Sequence, residues 1–183
     1  MSDDWQLLFA KEASLFPHLA DLQKEQVLLS TMSEAAFRQA SFLDQRIFTP
    51  DLQRQVVSWA DVASVSLATL PKPQYIFHIG HVGSTLISRL LGDIDSILAL
   101  REPAILRQLA DVRINNPAEI GWTGDEHAKR LDQVEQWLSR TFHPDQRVMI
   151  KASSFVSPLA HDLLTGSGTA LFLFASRERY LQT

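Results

Sequence analysis

Cysteine is absent from this 183-residue chain, which excludes disulfides, thiolate metal sites and a cysteine nucleophile. Glycine is scarce, and the first 70 residues contain none, so the usual glycine punctuation of turns is missing there. No apolar run approaches the roughly 18 residues needed to cross a bilayer. The opening Met1-Ser2-Asp3-Asp4-Trp5 lacks the basic start and apolar stretch of a signal peptide, so a cytoplasmic protein without a membrane partner is expected. Positive charge is not in excess: 17 Lys and Arg stand against 21 Asp and Glu, a net −4. A general nucleic-acid binder would be basic, whereas local anion binding by backbone amides needs no net charge. What is present, 45% apolar and 21% charged residues, is the make-up of a globular protein able to bury one core.

Residues 74–89, reading QYIFHIGHVGSTLISR, carry most of the functional information. Tyr75, Ile76, Phe77 and Ile79 form a short apolar run rich in β-branched and aromatic residues, which predicts a buried strand. Gly80 and Gly83 punctuate a tight loop, and Ser84-Thr85 open a run with Leu86, Ile87, Leu90 and Leu91 at helical spacing. A strand, a glycine loop and a helix start aim free N–H groups at one spot, favouring a phosphate or sulfate. The competing explanation is an ordinary strand-to-helix turn, in which glycine supplies a positive φ. The pattern G-x-x-x-x-G-K-[ST] is not met, because Gly83 is followed directly by Ser84 and Thr85 with no lysine.

Residues 1–70 read as a helical segment packed on the core. Leu19, Leu22, Val27 and Leu28 have amphipathic spacing, Ser33-Glu34-Ala35-Ala36-Phe37 resembles a capped helix start, and Leu52, Val56 and Trp59 share a helical face after Pro50-Asp51. Pro71 and Pro73 mark the boundary before the first strand. Beyond it, strands are expected at about 96–100, 147–151 and 170–174, with helices between them. Thr123 with Glu126 forms a capping box for one of these helices. The alternation predicts an α/β fold, a parallel sheet with helices on its faces, in which ligands sit beyond the carboxyl ends of strands. Residues 71–183 would form this core. The chain ends nine residues after the fourth expected strand, short of a full doubly wound domain, which suggests an incomplete C-terminus.

Four segments together resemble the sulfotransferase branch of P-loop proteins, most closely its protein-tyrosine and bacterial members. They are His81-Val82-Gly83-Ser84-Thr85-Leu86, Leu100-Arg101-Glu102-Pro103, Ile150-Lys151-Ala152-Ser153-Ser154-Phe155, and Leu171-Phe172-Leu173-Phe174 with the residues through Thr183. The resemblance implies a P-loop NTPase-like fold and transfer of a sulfuryl group from 3′-phosphoadenylyl sulfate (PAPS) to a hydroxyl or amine acceptor, without a metal. Gly80, His81, Val82, Gly83, Ser84 and Thr85 would then hold the donor. Arg177 would replace the family's 3′-phosphate arginine, whose place Ala175 takes, and Thr183 would match a family serine. Arg179 is a further substitute for that arginine. Lys151 would supply the charge that His81 provides poorly at neutral pH. Glu102 is the candidate general base, with a structural role beside Pro103 at a helix start as its alternative. Arg101 would pair with Glu102 or contact a substrate. His78 is expected as a satisfied core histidine, Arg89 as a surface residue, and Trp122 and Trp137 as packing residues. A nucleotide kinase or ATPase, and a non-catalytic anion-binding module, are the competing functions.

Overall fold

The computed structural model describes residues 4–115, 117–166 and 168–176. The first part of the chain is not the helical segment its spacing predicts. After α1 (Asp4–Lys11) come β1 (Leu15–Asp21) and β2 (Gln26–Thr31), then α2 (Glu34–Gln39), a 3-10 turn (Gln45–Ile47), β3 (Arg54–Ser58) and α3 (Trp59–Ser64). The three strands form an antiparallel sheet with β2 in the centre. Leu19, Val27 and Leu28 therefore lie on strands, and Val56 on β3.

Two local features explain the difference. The β1–β2 turn is closed by Asp21, whose carboxylate accepts the Lys24 N–H at 3.0 Å, and by Glu25 at φ 51. A carboxylate-bearing residue occupies the left-handed position that glycine or asparagine usually fills, so the hairpin carries no glycine signal. Pro17 falls where the β1–β2 register shifts, an irregularity where its missing N–H is tolerated. The capped start at Ser33 is as expected: its side chain accepts the Ala36 N–H.

The second part is mixed α/β. Strands β4 (Gln74–His78), β5 (Ile97–Arg101), β6 (Arg147–Lys151) and β7 (Thr169–Leu173) make a parallel sheet in the order β5-β6-β4-β7. Between them run α4 (Ser84–Gly92), α5 (Ala104–Asn115), α6 (Gly124–Leu138), a 3-10 segment (Ser154–Leu159) and α7 (Ala160–Leu163). The period-2 alternation of strand side chains divides the core. Ile76, Ala99 and Met149 face Ile87 and Leu91 of α4. Tyr75, Phe77, Leu98, Leu100, Val148 and Ile150 face the other way, joining α5, α6, α7 and the antiparallel sheet in one continuous apolar cluster.

Two buried cations tie the parts together. Arg140, 3% exposed, donates to the carbonyls of Phe9, Glu12, Leu15 and Trp137 at 2.6–2.9 Å. Burial lowers its pKa to about 9, so it is still a cation at neutral pH. Arg101, 1% exposed, donates to the carbonyls of Phe37 and Arg38 in the last turn of α2 and of Ala40 just past it. Its Nη2 sits where a Cβ on Gly92 would come within 2.8 Å, so glycine is required where α4 ends against β5. No helix among the described residues is long and apolar enough to cross a membrane.

Candidate functional site

Because α4 covers one face of the sheet while the 3-10 segment and α7 after β6 join the core on the other, the connections leaving the adjacent strands β4 and β6 diverge. This is the topological switch point at which open α/β sheets form a ligand crevice beyond their strand ends. The loop between β4 and α4 lies there. His81 takes φ 60 and Gly83 φ 77, two left-handed residues that turn the backbone before α4 begins. Gly83 is the residue preceding the helix and has no side-chain cap. Among the described residues no acceptor takes the N–H groups of Gly80, His81, Val82, Gly83, Ser84 or Thr85, the first loop amides to be used being Ile79 to Leu173 and Ile87 to Gly83. A Cβ at Gly83 would meet no atom within 4 Å. The corner is thus an open nest of donors at a helix N-terminus. Ser84 is buried, Thr85 half-buried, and His81 exposed.

The neighbouring strands end in ionisable side chains that converge. Lys151 closes β6, and Arg101, its register partner on β5, is followed by Glu102. The Glu102 N–H donates to the Lys151 carbonyl at 2.7 Å, and the Lys151 ammonium is bonded to Glu102 Oε1. The Lys151 side chain is 2% exposed and that of Glu102 20%. Glu102 has φ 53, a conformation costing about 1–2 kcal/mol for a residue with a Cβ. Such strain concentrates at functional sites. Burial without this carboxylate would be costly for Lys151, so the pair is held as a unit. The expected reading of Lys151 as a cation at the strand end is matched in place, though it is buried and committed to Glu102.

Arg101 belongs to the scaffold. Its guanidinium points toward α2 and is spent on backbone carbonyls, so it neither pairs with Glu102 nor faces the loop. Burial lowers its pKa. Arg89 is exposed and donates to the Ser41 hydroxyl. Trp137 is buried and packs on Phe9 and Trp59, and Trp122 packs on Trp59. Ala175 follows β7, while Arg177, Arg179 and Thr183 lie outside the described residues.

Two residues at the site, Phe42 and Arg46, were not picked out from sequence, and a third, His78, was expected only as a core residue. His78, the last residue of β4, has Nδ1 2.9 Å from the Ile79 carbonyl, an acceptor to which Nδ1–H donates. Nε2 is buried without a hydrogen-bond partner among the described residues, 3.9 Å from Glu102 Oε1. The expectation of a satisfied core histidine therefore fails at one nitrogen. Phe42 comes from the N-terminal part, on a segment laid across the end of β5 by Leu43 N–H to the Arg101 carbonyl at 2.7 Å and Ala104 N–H to the Leu43 carbonyl at 3.0 Å. Its ring lies 5.5 Å from the Lys151 ammonium and 3.7 Å from the Arg46 guanidinium. Arg46 is bonded to Asp44. This bond, with a further contribution from the Glu102 charge, raises its pKa. Only the position of His78, directly after an apolar run and before the glycine loop, was a usable sequence signal; Phe42 and Arg46 arrive through tertiary contact.

No family model, curated protein or solved structure matches the chain.

Proposed function

We propose that the protein is a sulfotransferase-like enzyme that moves a sulfuryl group from 3′-phosphoadenylyl sulfate to a hydroxyl or amine acceptor. The observation that carries this reading is the row of unpaired amides from Gly80 to Thr85 around an open Gly83, beside a Lys151–Glu102 pair at the switch point. Amides and hydroxyls of Ser84 and Thr85 would hold the donor's 5′-phosphate and sulfate oxygens. Gly83 leaves the space those oxygens need, and the dipole of α4 favours their charge. When bound, the donor supplies an activated sulfuryl group.

The chain's part in the chemistry is positioning and charge. Lys151, buried and therefore weakly screened, faces negative charge developing on the transferred group. Glu102 accepts the acceptor's proton as its oxygen or nitrogen bonds to sulfur and the bond from sulfur to the phosphate oxygen breaks. His78 Nε2 stands 3.9 Å from that carboxylate. The P-loop-like character of the fold belongs to the same proposal: the strand bearing the loop sits inside the sheet, with Lys151 at the end of its neighbour β6 and Glu102 just past β5, one strand further out.

Thermal-shift titration tests it. Stabilisation by adenosine 3′,5′-bisphosphate in the absence of magnesium is expected. Stabilisation by Mg-ATP alone would favour a nucleotide kinase or ATPase, and no shift with either would favour a non-catalytic module.

A further inference from the structure

Beside the Glu102 end of the site lies a groove of about 650 Å³, a size that encloses a small organic molecule. One wall is a single face of α5, on which Ala104, Arg107, Gln108, Asp111 and Val112 recur at helical spacing. The groove begins two residues from Glu102, at most about 7 Å of chain, and follows α5 away from it. Leu19 and Leu22 of the N-terminal part, Ile114, Ile120 and Phe155 supply the apolar surface. Ile114 and Phe155 are 53% and 58% exposed, large apolar side chains held open to the groove rather than packed in the core.

The charges around the groove are unequal in their commitments. Asp44 and Arg46 are bonded to each other. Gln108 spends its amide on both backbone groups of Ala20. Asp111 accepts from Asn115 at 2.6 Å. The Arg107 guanidinium lies over the Phe155 ring at 4.5 Å and, among the described residues, is in no ion pair or hydrogen bond. The groove thus offers one guanidinium without an ion-pair partner near its Ala104 end, and beyond it apolar side chains interrupted by Gln108 and Asp111, whose polar atoms are already bonded.

We infer that this groove binds the acceptor, and that the acceptor is an amphipathic hydroxy acid, its hydroxyl at Glu102, its carboxylate on Arg107 and its apolar chain along α5 toward Ile114 and Ile120. The acceptor role rests on the transfer reading above; the binding of an amphipathic carboxylate does not. Charge-assisted pairing with a guanidinium fixes the carboxylate, and Phe155, Leu19 and Leu22 bury the chain.

The test is an NMR titration of the wild-type protein, with the methyl groups of Ile114 and Ile120 as reporters. The probes are 2-hydroxyoctanoate, its methyl ester and 2-hydroxypropanoate. Saturable shifts at both isoleucines are expected with 2-hydroxyoctanoate. The ester and the short acid should bind about tenfold more weakly or worse, one lacking the charge and the other the chain. In Arg107→Gln the acid and ester should bind alike, while affinity for adenosine 3′,5′-bisphosphate is unchanged. Equal binding of acid and ester by the wild type, discrimination surviving in Arg107→Gln, or no shift at Ile114 and Ile120 would each overturn the inference. Hydroxy-acid binding without bisphosphate binding would instead remove the donor reading and leave the groove in place.

Discussion

Removing either partner of the Lys151–Glu102 pair should destabilise the protein very unequally. The Lys151 side chain is 2% exposed and the Glu102 side chain 20%, so only the carboxylate can turn to water when left alone. In Glu102→Ala the ammonium keeps no hydrogen-bond acceptor among the described residues, and the Phe42 ring at 5.5 Å is a weak substitute. Orphaning a buried charge in this way costs about 3–5 kcal/mol. Lys151→Met keeps most of the buried volume and leaves Glu102 hydrated, with Arg46 nearby, for a cost of about 1–2 kcal/mol. For a chain of this size the first corresponds to a fall of roughly 10 °C in Tm and the second to about 2–6 °C. The double variant removes the orphan, so it should be more stable than Glu102→Ala alone. Urea unfolding followed by circular dichroism measures all three. A loss in Lys151→Met equal to or above that in Glu102→Ala, or a double variant less stable than Glu102→Ala, would refute the assignment of Lys151 as the buried, dependent partner.

Other expectations follow from particular residues. Gly83→Val places a Cβ in open space at φ 77, so it should cost about 1–2 kcal/mol of stability through backbone strain yet abolish adenosine 3′,5′-bisphosphate binding; calorimetric titration showing unchanged affinity would remove the loop from the site. His18 is fully buried between Phe16 and Phe48, and burial holds its pKa below the ordinary 6.5, with the nearby Asp44 raising it and Arg54 lowering it. The unfolded chain then binds the proton first, so stability is full above pH 6.5 and declines as the pH falls below it, by at most about 1.4 kcal/mol per pH unit for one group. His18→Phe should flatten this slope in denaturant titrations between pH 5.5 and 7.5, and an unaltered slope would contradict it. Arg140→Met leaves four carbonyls without their donor and should cost at least about 3 kcal/mol, readable as a lowered urea midpoint.

The parallel sheet was legible because each of its strands is an apolar run bounded by local punctuation. Arg147–Lys151 was placed to the residue, and Thr123 accepts the Glu126 N–H as its spacing suggested. The antiparallel sheet was not legible. Its hairpin turn uses Glu25 where glycine would have signalled a reversal, and Leu19, Leu22, Val27 and Leu28 imitate a helical face by coincidence of spacing across that turn. At the site, the loop glycine, Glu102 and Lys151 could be found because each stands next to a recognisable strand end. Arg101 was misassigned because strand alternation does not reveal that its guanidinium finds the carbonyls at the C-terminal end of α2. Phe42 and Arg46 lie some 60 and 56 residues upstream of Glu102, on a segment held at the site by tertiary bonds, among them Leu43 N–H to the Arg101 carbonyl at the end of β5 and Ala104 N–H at the start of α5 to the Leu43 carbonyl. No local pattern encodes that approach.

The central claim, that backbone amides around Gly83 hold an oxyanion without a divalent ion, is tested most directly by amide NMR. Adenosine 3′,5′-bisphosphate would be titrated into the protein in the presence of EDTA. The predicted result is saturable binding with the largest amide shifts confined to residues 80–86. Absence of binding, or shifts concentrated elsewhere while those amides stay still, would contradict it.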